Sequence, residues 1–193
     1  MERHLHLSKS GARAWRRRNH AGTSLGLSSI GLALHHSQNS GMTNGLQIVY
    51  LARHGETAWS LTGQHKGLTD LPLTERGRQN ALALRERLLG LNFERVITSP
   101  LQRARCTCEL AGFGPAAEVD RDLLEWNYGE YEGRRTADIH AKRPDWQLFR
   151  DGCPGGESPE QVGARADRVV TCSRTARNGR RMPQSARRSP RAA

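Results

Sequence analysis

Short apolar runs that favour β-strands alternate with capped helical segments between residues 46 and 170, and this alternation most limits the folds open to the chain. Residues 46–52 (LQIVYLA), 95–98 (RVIT) and 116–120 (AAEVD) are predicted strands, because they are short and rich in apolar or β-branched side chains. Strands that alternate with helices imply an α/β fold with helices on both faces of a sheet. The sequence therefore predicts a three-layer, doubly wound, mostly parallel sheet.

Helix-start signals separate these strands. Each predicted helix begins at a threonine or serine that can cap its first turn, and two of the caps are followed by proline, which suits the first helical position. Gln161 stands three residues after Ser158, as in a capping box. The predicted helices run from Thr74 to about Gly90, from Ser99 to about Ala111 and from Ser158 toward Val170.

The formal net charge of +11 is concentrated in two tails. Residues 1–41 carry six Lys or Arg and one acid, and residues 171–193 carry seven Arg and no acid, which leaves the intervening residues at −1. A nucleic-acid-binding domain would carry its cations on the folded part, so we predict no specific nucleic-acid partner. No run of 18 apolar residues occurs, so we expect no membrane span and no membrane partner.

Three regions follow from this organisation. Residues 1–41 show neither helical nor strand period and are predicted to be a disordered or unprocessed N-terminal extension. Their Arg-rich, Ser-rich composition is also typical of a targeting peptide, which is an alternative interpretation. Met42 is a candidate natural start. Residues 42–170 form the predicted domain, and 171–193 are a predicted disordered basic tail. The four cysteines lack metal-ligand spacing, and a disulfide framework is not expected, which favours a reduced cytoplasmic setting. We predict no metal and no cofactor.

Arg53 and His54 follow the first predicted strand within the segment R53-H-G-E-T57. In parallel α/β sheets ligands bind beyond the carboxyl ends of the strands, and Ser99 falls at a second such end. A histidine in this place can be a nucleophile, a metal ligand or an ordinary loop residue. The position alone leaves these three alternatives open.

The segment R53-H-G-E-T57 resembles the signature of the histidine phosphatase superfamily, which includes the cofactor-dependent phosphoglycerate mutases. Four further segments resemble motifs of that family in the same order, so the resemblance covers about residues 46–170. These segments are G63-Q-H-K-G-L-T-D-L-P-L-T-E-R-G77, S99-P-L-Q-R-A-R-C-T107, L123-L-E-W-N-Y-G-E-Y-E-G133 and G155-G-E-S158.

The resemblance implies a phosphoric monoester hydrolase that works through a phosphohistidine, and it assigns roles to individual residues. His54 would be the nucleophile, Arg53 and Arg103 would bind the phosphate as bidentate cations, and Glu125 would exchange protons with the leaving oxygen and with water. Gly55 would let the backbone approach the phosphate. The remaining residues carried over as substrate-binding are Glu56, Thr57, Ser60, Lys66 and Gly67.

The substrate implied is a small phosphorylated molecule. The segments around Gly63, Glu125 and W146-Q-L-F-R-D-G-C153 look most like those of sugar-phosphate phosphatases. A phosphoglycerate mutase-type phosphotransferase remains the alternative. The sequence carries no prediction of the oligomeric state.

The family has a second catalytic histidine, in a His-Gly pair after a later strand, and this sequence has no histidine beyond His140. Residues 171–193 contain no apolar run. We therefore expect the C-terminal part of the fold to be missing and the activity to be impaired, and our hypothesis is a shifted reading frame or a wrong gene model. A non-catalytic or unstable fragment is the other interpretation.

Overall fold

The computed structural model of the protein describes residues 30–36 and 48–175. The strands of this part are β1 (Ile30–His36), β2 (Ile48–Arg53), β3 (Arg95–Thr98) and β4 (Ala117–Val119). Its α-helices are α1 (Ala58–Thr62), α2 (Glu75–Arg87), α3 (Gln102–Leu110), α4 (Thr136–His140), α5 (Leu148–Asp151) and α6 (Pro159–Thr175). Short 3-10 helices cover Gly114–Ala116, Arg121–Leu123 and Gly129–Tyr131.

The four strands form one sheet in the order β2-β1-β3-β4. β3 and β4 pair in parallel, whereas β1 pairs antiparallel with both β2 and β3. Because both neighbours of β1 oppose it, β2, β3 and β4 all point the same way. The predicted α/β class is confirmed, and one strand of the described sheet is reversed.

The reversed strand β1 corrects a prediction. Residues 1–41 were expected not to fold, but Ile30–His36 lies between β2 and β3, with Leu32 paired to Thr98 and Leu34 paired to Tyr50. Ala33 at its centre is fully buried. Glycine and serine dilute the apolar pattern of residues 21–34, so no local period shows there, whereas pairing on both edges satisfies the backbone groups of Ile30–His36. The other residues of 1–41, and Met42, lie outside the described residues.

The predicted helices occur with small shifts at their ends. Thr74 caps α2 by accepting from the Gly77 amide at 3.0 Å, as its position predicts. Ser158 and Gln161 cap α6 reciprocally at 2.8 and 3.3 Å. α3 begins at Gln102 instead of Pro100. α6 continues to Thr175, so the prediction that order ends at residue 170 is wrong, and residues 176–193 lie outside the described part.

Helices lie on both faces of β3. Side chains alternate along a strand, so Arg95 and Val96 point to opposite faces. Val96 packs with Leu88, which follows α2, and with Cys108 of α3. Arg95 Nη1 lies 2.9 Å from Cys172 Sγ of α6. This arrangement is the predicted three-layer one.

α6 covers one face of the sheet at β3. At β2 the side chains of the same face are exposed. Tyr50 and Ala52 pack with the cluster under α2 and α3. By alternation Val49 and Leu51 point to the other face, and they are 36% and 50% exposed. None of the described helices has the length and apolarity that a membrane crossing requires.

A second apolar cluster supports the long segment between β4 and α6. Two of its tryptophans are tied to the backbone through their indole N–H groups: Trp126 donates to the Glu157 carbonyl at 2.9 Å and Trp146 to the Gly152 carbonyl at 2.8 Å. This segment carries Glu125, so the cluster fixes one side of the candidate site. Its buried members are Trp126, Tyr128, Tyr131, Ile139, Trp146 and Cys153.

Candidate active site

His54 lies directly after β2, at the carboxyl end of that strand, and is 8% exposed. Its Nδ1 lies 2.7 Å from the Gly55 carbonyl oxygen. Because a carbonyl oxygen can only accept, Nδ1 carries the hydrogen and the lone pair is on Nε2. Nε2 is buried and has no hydrogen-bond partner within the described residues. The imidazole is therefore held with an available nitrogen nucleophile.

The surroundings keep this imidazole neutral. Burial is the main cause that lowers the pKa of His54, to about 3, and the hydrogen bond to the Gly55 carbonyl opposes it. The positive charges of Lys66, Arg103 and Arg53 lower the pKa further. A neutral imidazole retains its lone pair, so His54 meets the first requirement of a nucleophile throughout the physiological range.

Lys66 is a buried cation beside His54 and is 6% exposed. Burial and the charges of Arg53 and Arg103 lower its pKa to about 8, against the opposing effect of Glu125. Desolvation of this kind disfavours the charged form of an amine. The ammonium is therefore close to titrating near neutral pH.

Arg103 binds the loop that carries Lys66. Its side chain is 1% exposed, and its Nη1 donates to the Thr69 carbonyl at 2.9 Å. Nη2 donates to the carbonyls of Gly67 at 2.8 Å and Lys66 at 3.4 Å. Burial lowers the pKa of Arg103, yet an arginine stays protonated in proteins. The predicted role of Arg103 was a bidentate contact to phosphate, whereas here its two Nη atoms serve the backbone.

Glu132 binds the same loop from its amide side, and sequence analysis did not assign it to the site. Its Oε1 accepts from the Gly67 amide at 2.7 Å and from the Thr69 amide at 3.1 Å. Oε2 is buried without a hydrogen-bond partner among the described residues. Nothing in the spacing of the acidic loop distinguishes this carboxylate from Glu130, which is exposed.

Glu125 is buried in the same cluster. Its Oε1 accepts from the Trp126 amide at 3.3 Å. Its negative charge raises the pKa of Lys66 and of Arg103, so it lies near both cations. The carboxylate that the motif predicts as proton donor thus lies with Lys66 and Arg103, the two cations that also act on His54.

Gly55 has a contact different from the predicted one. An added Cβ would lie 2.2 Å from the Gly77 carbonyl oxygen, so the backbones of Gly55 and Gly77 pack directly together. The Gly55 amide donates to Thr107 Oγ1 at 3.0 Å. The backbone group that was expected to face phosphate is therefore already hydrogen-bonded within the protein. Gly55 therefore joins the loop after β2 to α2 and α3. Thr107 is the last residue of the Ser99–Thr107 motif. Its contact with Gly55 could not be predicted from the motif, because the fold alone brings the two residues together.

Three predicted substrate-binding residues have structural contacts nearby. Thr57 caps α1, and Ser60 Oγ donates back to the Thr57 carbonyl at 2.7 Å. Glu56 accepts from the Thr74 hydroxyl at 2.8 Å, at the start of α2. These contacts order the turn that carries His54.

Five of the predicted side chains therefore come together. They are contributed by β2 and the turn after it, by the loop before α2, by α3 and by the segment after Arg121–Leu123. No set of three or more His, Cys, Asp or Glu side chains in residues 30–36 and 48–175 is placed to hold a metal ion. The converging residues are Arg53, His54, Lys66, Arg103 and Glu125.

An α/β sheet that presents a buried neutral imidazole to a cluster of cations defines a protein with an anion-accepting histidine site. Residues 49–182 match the histidine phosphatase superfamily (branch 1), and the chain belongs to this superfamily. The resemblance stated from the sequence is confirmed.

Individual relatives agree with this assignment. The chain is 48% identical over 123 residues to an acid phosphatase of Mycobacterium tuberculosis, covering 62% of this chain and 60% of the relative. It is 37% identical over 145 residues to a sedoheptulose 1,7-bisphosphatase of Saccharomyces cerevisiae, covering 62% of this chain and 53% of the relative. The chain thus spans about three fifths of the first relative and about half of the second.

A solved structure shows the same fold. The product of the open reading frame Rv3214 of Mycobacterium tuberculosis superposes with a TM-score of 0.55 at 42% identity, over 62% of each chain.

Proposed function

We propose that the chain hydrolyses a small phosphomonoester through a phosphohistidine on His54. The observation that carries this proposal is the Nε2 atom of a neutral imidazole, buried without a partner among cations. A phosphoryl group has the charge that these cations attract and the electrophilic centre that the lone pair attacks.

The chemistry divides into two steps. In the first, Nε2 attacks phosphorus, the bond from phosphorus to the ester oxygen breaks, and protonated Glu125 gives its proton to the leaving oxygen. In the second, Glu125 takes a proton from water, the water oxygen bonds to phosphorus, and the bond from phosphorus to Nε2 breaks. Glu125 ends as it began, and His54 is neutral again.

A sugar phosphate is the substrate class that we propose. The names of the two relatives, acid phosphatase and sedoheptulose 1,7-bisphosphatase, support hydrolysis in preference to mutase chemistry. The four cysteines Cys106, Cys108, Cys153 and Cys172 form no disulfide, which fits the cytoplasmic location that we propose.

We infer that no second imidazole from residues 30–36 and 48–175 assists His54, which therefore works at a reduced rate. His65 lies near Thr136, with its Nε2 3.2 Å from the Thr136 hydroxyl, and His140 lies beside the Trp146 carbonyl at 2.9 Å. His35 and His36 pair with the starts of the neighbouring strands, opposite Arg95 and Ile48, whereas His54 follows the end of β2. A fragment that binds phosphate without turnover is the other candidate, because the histidines His65 and His140 make contacts elsewhere.

Phosphoryl labelling tests the nucleophile directly, even when turnover is slow. The purified chain is incubated with a labelled phosphomonoester and quenched in base, in which phosphohistidine survives, and the label should be lost on acid treatment. We expect labelling in the native chain and in His140→Ala, whose imidazole is exposed, but none in His54→Ala. Label that persists in His54→Ala would contradict the proposal. Phosphate binding without label would favour the non-catalytic fragment.

A further inference from the structure

We propose that Thr107 is a positioning residue for the nucleophile: its buried hydroxyl fixes the Gly55 backbone, and the Gly55 carbonyl in turn keeps the hydrogen of His54 on Nδ1. Thr107 acts through the backbone and not on the phosphoryl group itself. This inference rests on the proposed function, because a free lone pair on Nε2 matters for the rate only if that atom attacks phosphorus.

The Thr107 hydroxyl links α3 to the turn after β2. Thr107 is 2% exposed, and its Oγ1 donates to the Arg103 carbonyl at 2.7 Å, one turn earlier in the same helix. Because a hydroxyl has a single hydrogen, Oγ1 faces the Gly55 amide as an acceptor, at 3.0 Å. A threonine that bonds back to its own helix is common, but Gly55 lies 52 positions away. The second contact therefore ties two separate segments of the chain together.

Gly55 needs an external restraint, because glycine lacks the Cβ that narrows the backbone conformations of other residues. Thr107 accepts from its amide, and the backbone of Gly77 packs against its Cα, where an added Cβ would lie 2.2 Å from the Gly77 carbonyl oxygen. The Gly55 carbonyl oxygen lies 2.7 Å from His54 Nδ1. Of these three contacts, the one with Thr107 comes from a side chain outside the turn, so a substitution can remove it and leave the sequence of the turn unchanged.

The Gly55 carbonyl selects the tautomer of His54. A neutral imidazole carries one hydrogen, on either Nδ1 or Nε2, and only the nitrogen without it can attack phosphorus. Nε2 has no hydrogen-bond partner in residues 30–36 and 48–175, so no contact in this part of the chain fixes the hydrogen from that side. The choice therefore depends on the Nδ1 contact and on the backbone that holds the carbonyl in place. If the Gly55 backbone turned, part of the molecules would carry the hydrogen on Nε2 and lose the nucleophile.

The same hydroxyl relates the nucleophile to a cation of the site. Arg103 supplies the carbonyl that accepts from Thr107, and its side chain binds the carbonyls of Gly67 and Thr69. Loss of the hydroxyl should release the turn that carries His54 and leave these side-chain contacts of Arg103 in place. Such a change affects the orientation of the attacking atom, so it should lower the rate of transfer more than the affinity for substrate.

Two variants separate the Thr107 hydroxyl from the space that the side chain fills. Thr107→Val keeps the shape but leaves the Gly55 amide without its acceptor, whereas Thr107→Ser keeps the hydroxyl. NMR of isotope-labelled imidazole nitrogens at neutral pH reports which nitrogen carries the hydrogen, and His54→Asn identifies the His54 signals by their loss. We expect the hydrogen on Nδ1 in the native chain and in Thr107→Ser, and a mixture of the two tautomers in Thr107→Val.

The rate of phosphoryl labelling is the second readout. Thr107→Val should label His54 about 10- to 100-fold more slowly at saturating phosphomonoester, with the half-saturating concentration little changed. Thr107→Ser should restore most of the native rate, and a Thr107→Ser chain as slow as Thr107→Val would contradict a role of the hydroxyl. Cys108→Ala is the control for lost stability, because Cys108 is buried on the same helix and packs with Val96 and Leu88. That variant should keep the native tautomer and the native labelling rate.

A His54 hydrogen on Nε2 in the native chain would overturn the proposal without any variant. Circular dichroism identifies a Thr107→Val chain that fails to fold, and Thr107→Ala then replaces it. The two readouts separate this inference from the proposed function. A tautomer that depends on Thr107, without label on the native chain, would overturn the phosphatase and retain the positioning contact. Label on His54, with the native tautomer and rate in Thr107→Val, would overturn the positioning role alone.

Discussion

Glu132 and Arg103 bind opposite sides of one loop: the carboxylate accepts from the amides of Gly67 and Thr69, and the guanidinium donates to the carbonyls of the same two residues. The loop carries Lys66 between them. The charge of Glu132 also raises the pKa of Arg103, so the two side chains support each other electrostatically.

Glu132→Ala should destabilise the fold by about 2–3 kcal/mol, because two amide groups lose a charged acceptor. Urea unfolding followed by tryptophan fluorescence measures the change. Glu130→Ala is the matched control, since Glu130 lies in the same segment with its side chain exposed. Equal unfolding midpoints for the two variants would show that Glu132 does not hold the loop.

Arg103→Lys should lower kcat/KM on para-nitrophenyl phosphate by about 10²-fold, because an ammonium cannot replace a planar fork that reaches three carbonyls. The matched control is Arg105→Lys, an exposed position on the same helix, which should keep native activity. A small effect of Arg103→Lys would mean that charge alone, without the carbonyl contacts, is what the site requires.

Gly77→Ala should unfold the region around His54 or destabilise the protein by more than about 2 kcal/mol. An added Cβ would lie 2.2 Å from the Glu56 carbonyl oxygen, and backbone cannot move aside as a flexible side chain can. Gly163→Ala is the control, because nothing lies within 4 Å of its added Cβ in α6. That variant should gain about 0.5–1 kcal/mol from helix propensity. Thermal unfolding compares the two, and a stable Gly77→Ala would contradict the close packing.

Acid should destabilise the protein through His54. Its pKa is about 3 in the folded chain against 6.5 for the ordinary imidazole, so between these values the unfolded chain binds more protons. Stability then falls as the pH drops below 6.5, by up to about 1.4 kcal/mol per pH unit. His54→Asn should lose this contribution, which urea unfolding at pH 7 and about pH 5 measures. Parallel pH dependence in both chains would show that the imidazole is not buried as described.

Removal of residues 1–41 should destabilise the sheet severely, because β2 and β3 pair with β1 and not with each other. A shorter deletion of residues 1–29 keeps β1 and serves as the control. Circular dichroism and unfolding midpoints compare the two chains. If the chain that starts at Met42 folds as well as the control, β1 is dispensable and the predicted unfolded extension is restored.

Local signals accounted for much of the fold. Thr74 and Ser158 predicted helix starts because a cap acts within three or four residues, and the run before Arg53 predicted β2 because its apolar content is local. β1 was missed because its order depends on partners such as Thr98, far along the chain.

In the candidate site, too, local features could be predicted and contacts between distant segments could not. The placement of His54 beyond a strand end could be predicted, and the motif resemblance brought Lys66 and Glu125 to it. The hydrogen bonds of Arg103 and Glu132 to a distant loop could not be predicted, because Glu132 is 65 positions from Gly67 and the fold alone brings them together.

The position of β1 has a consequence for maturation of the chain in the cell. If a leader is removed, the cut must fall upstream of Ile30. Cleavage after His36 would remove β1, which is an inner strand of the described sheet and not an edge strand. The same limit applies to affinity tags and their protease sites: cleavage at a site between residues 37 and 47 would cut β1 from the chain that carries the other strands.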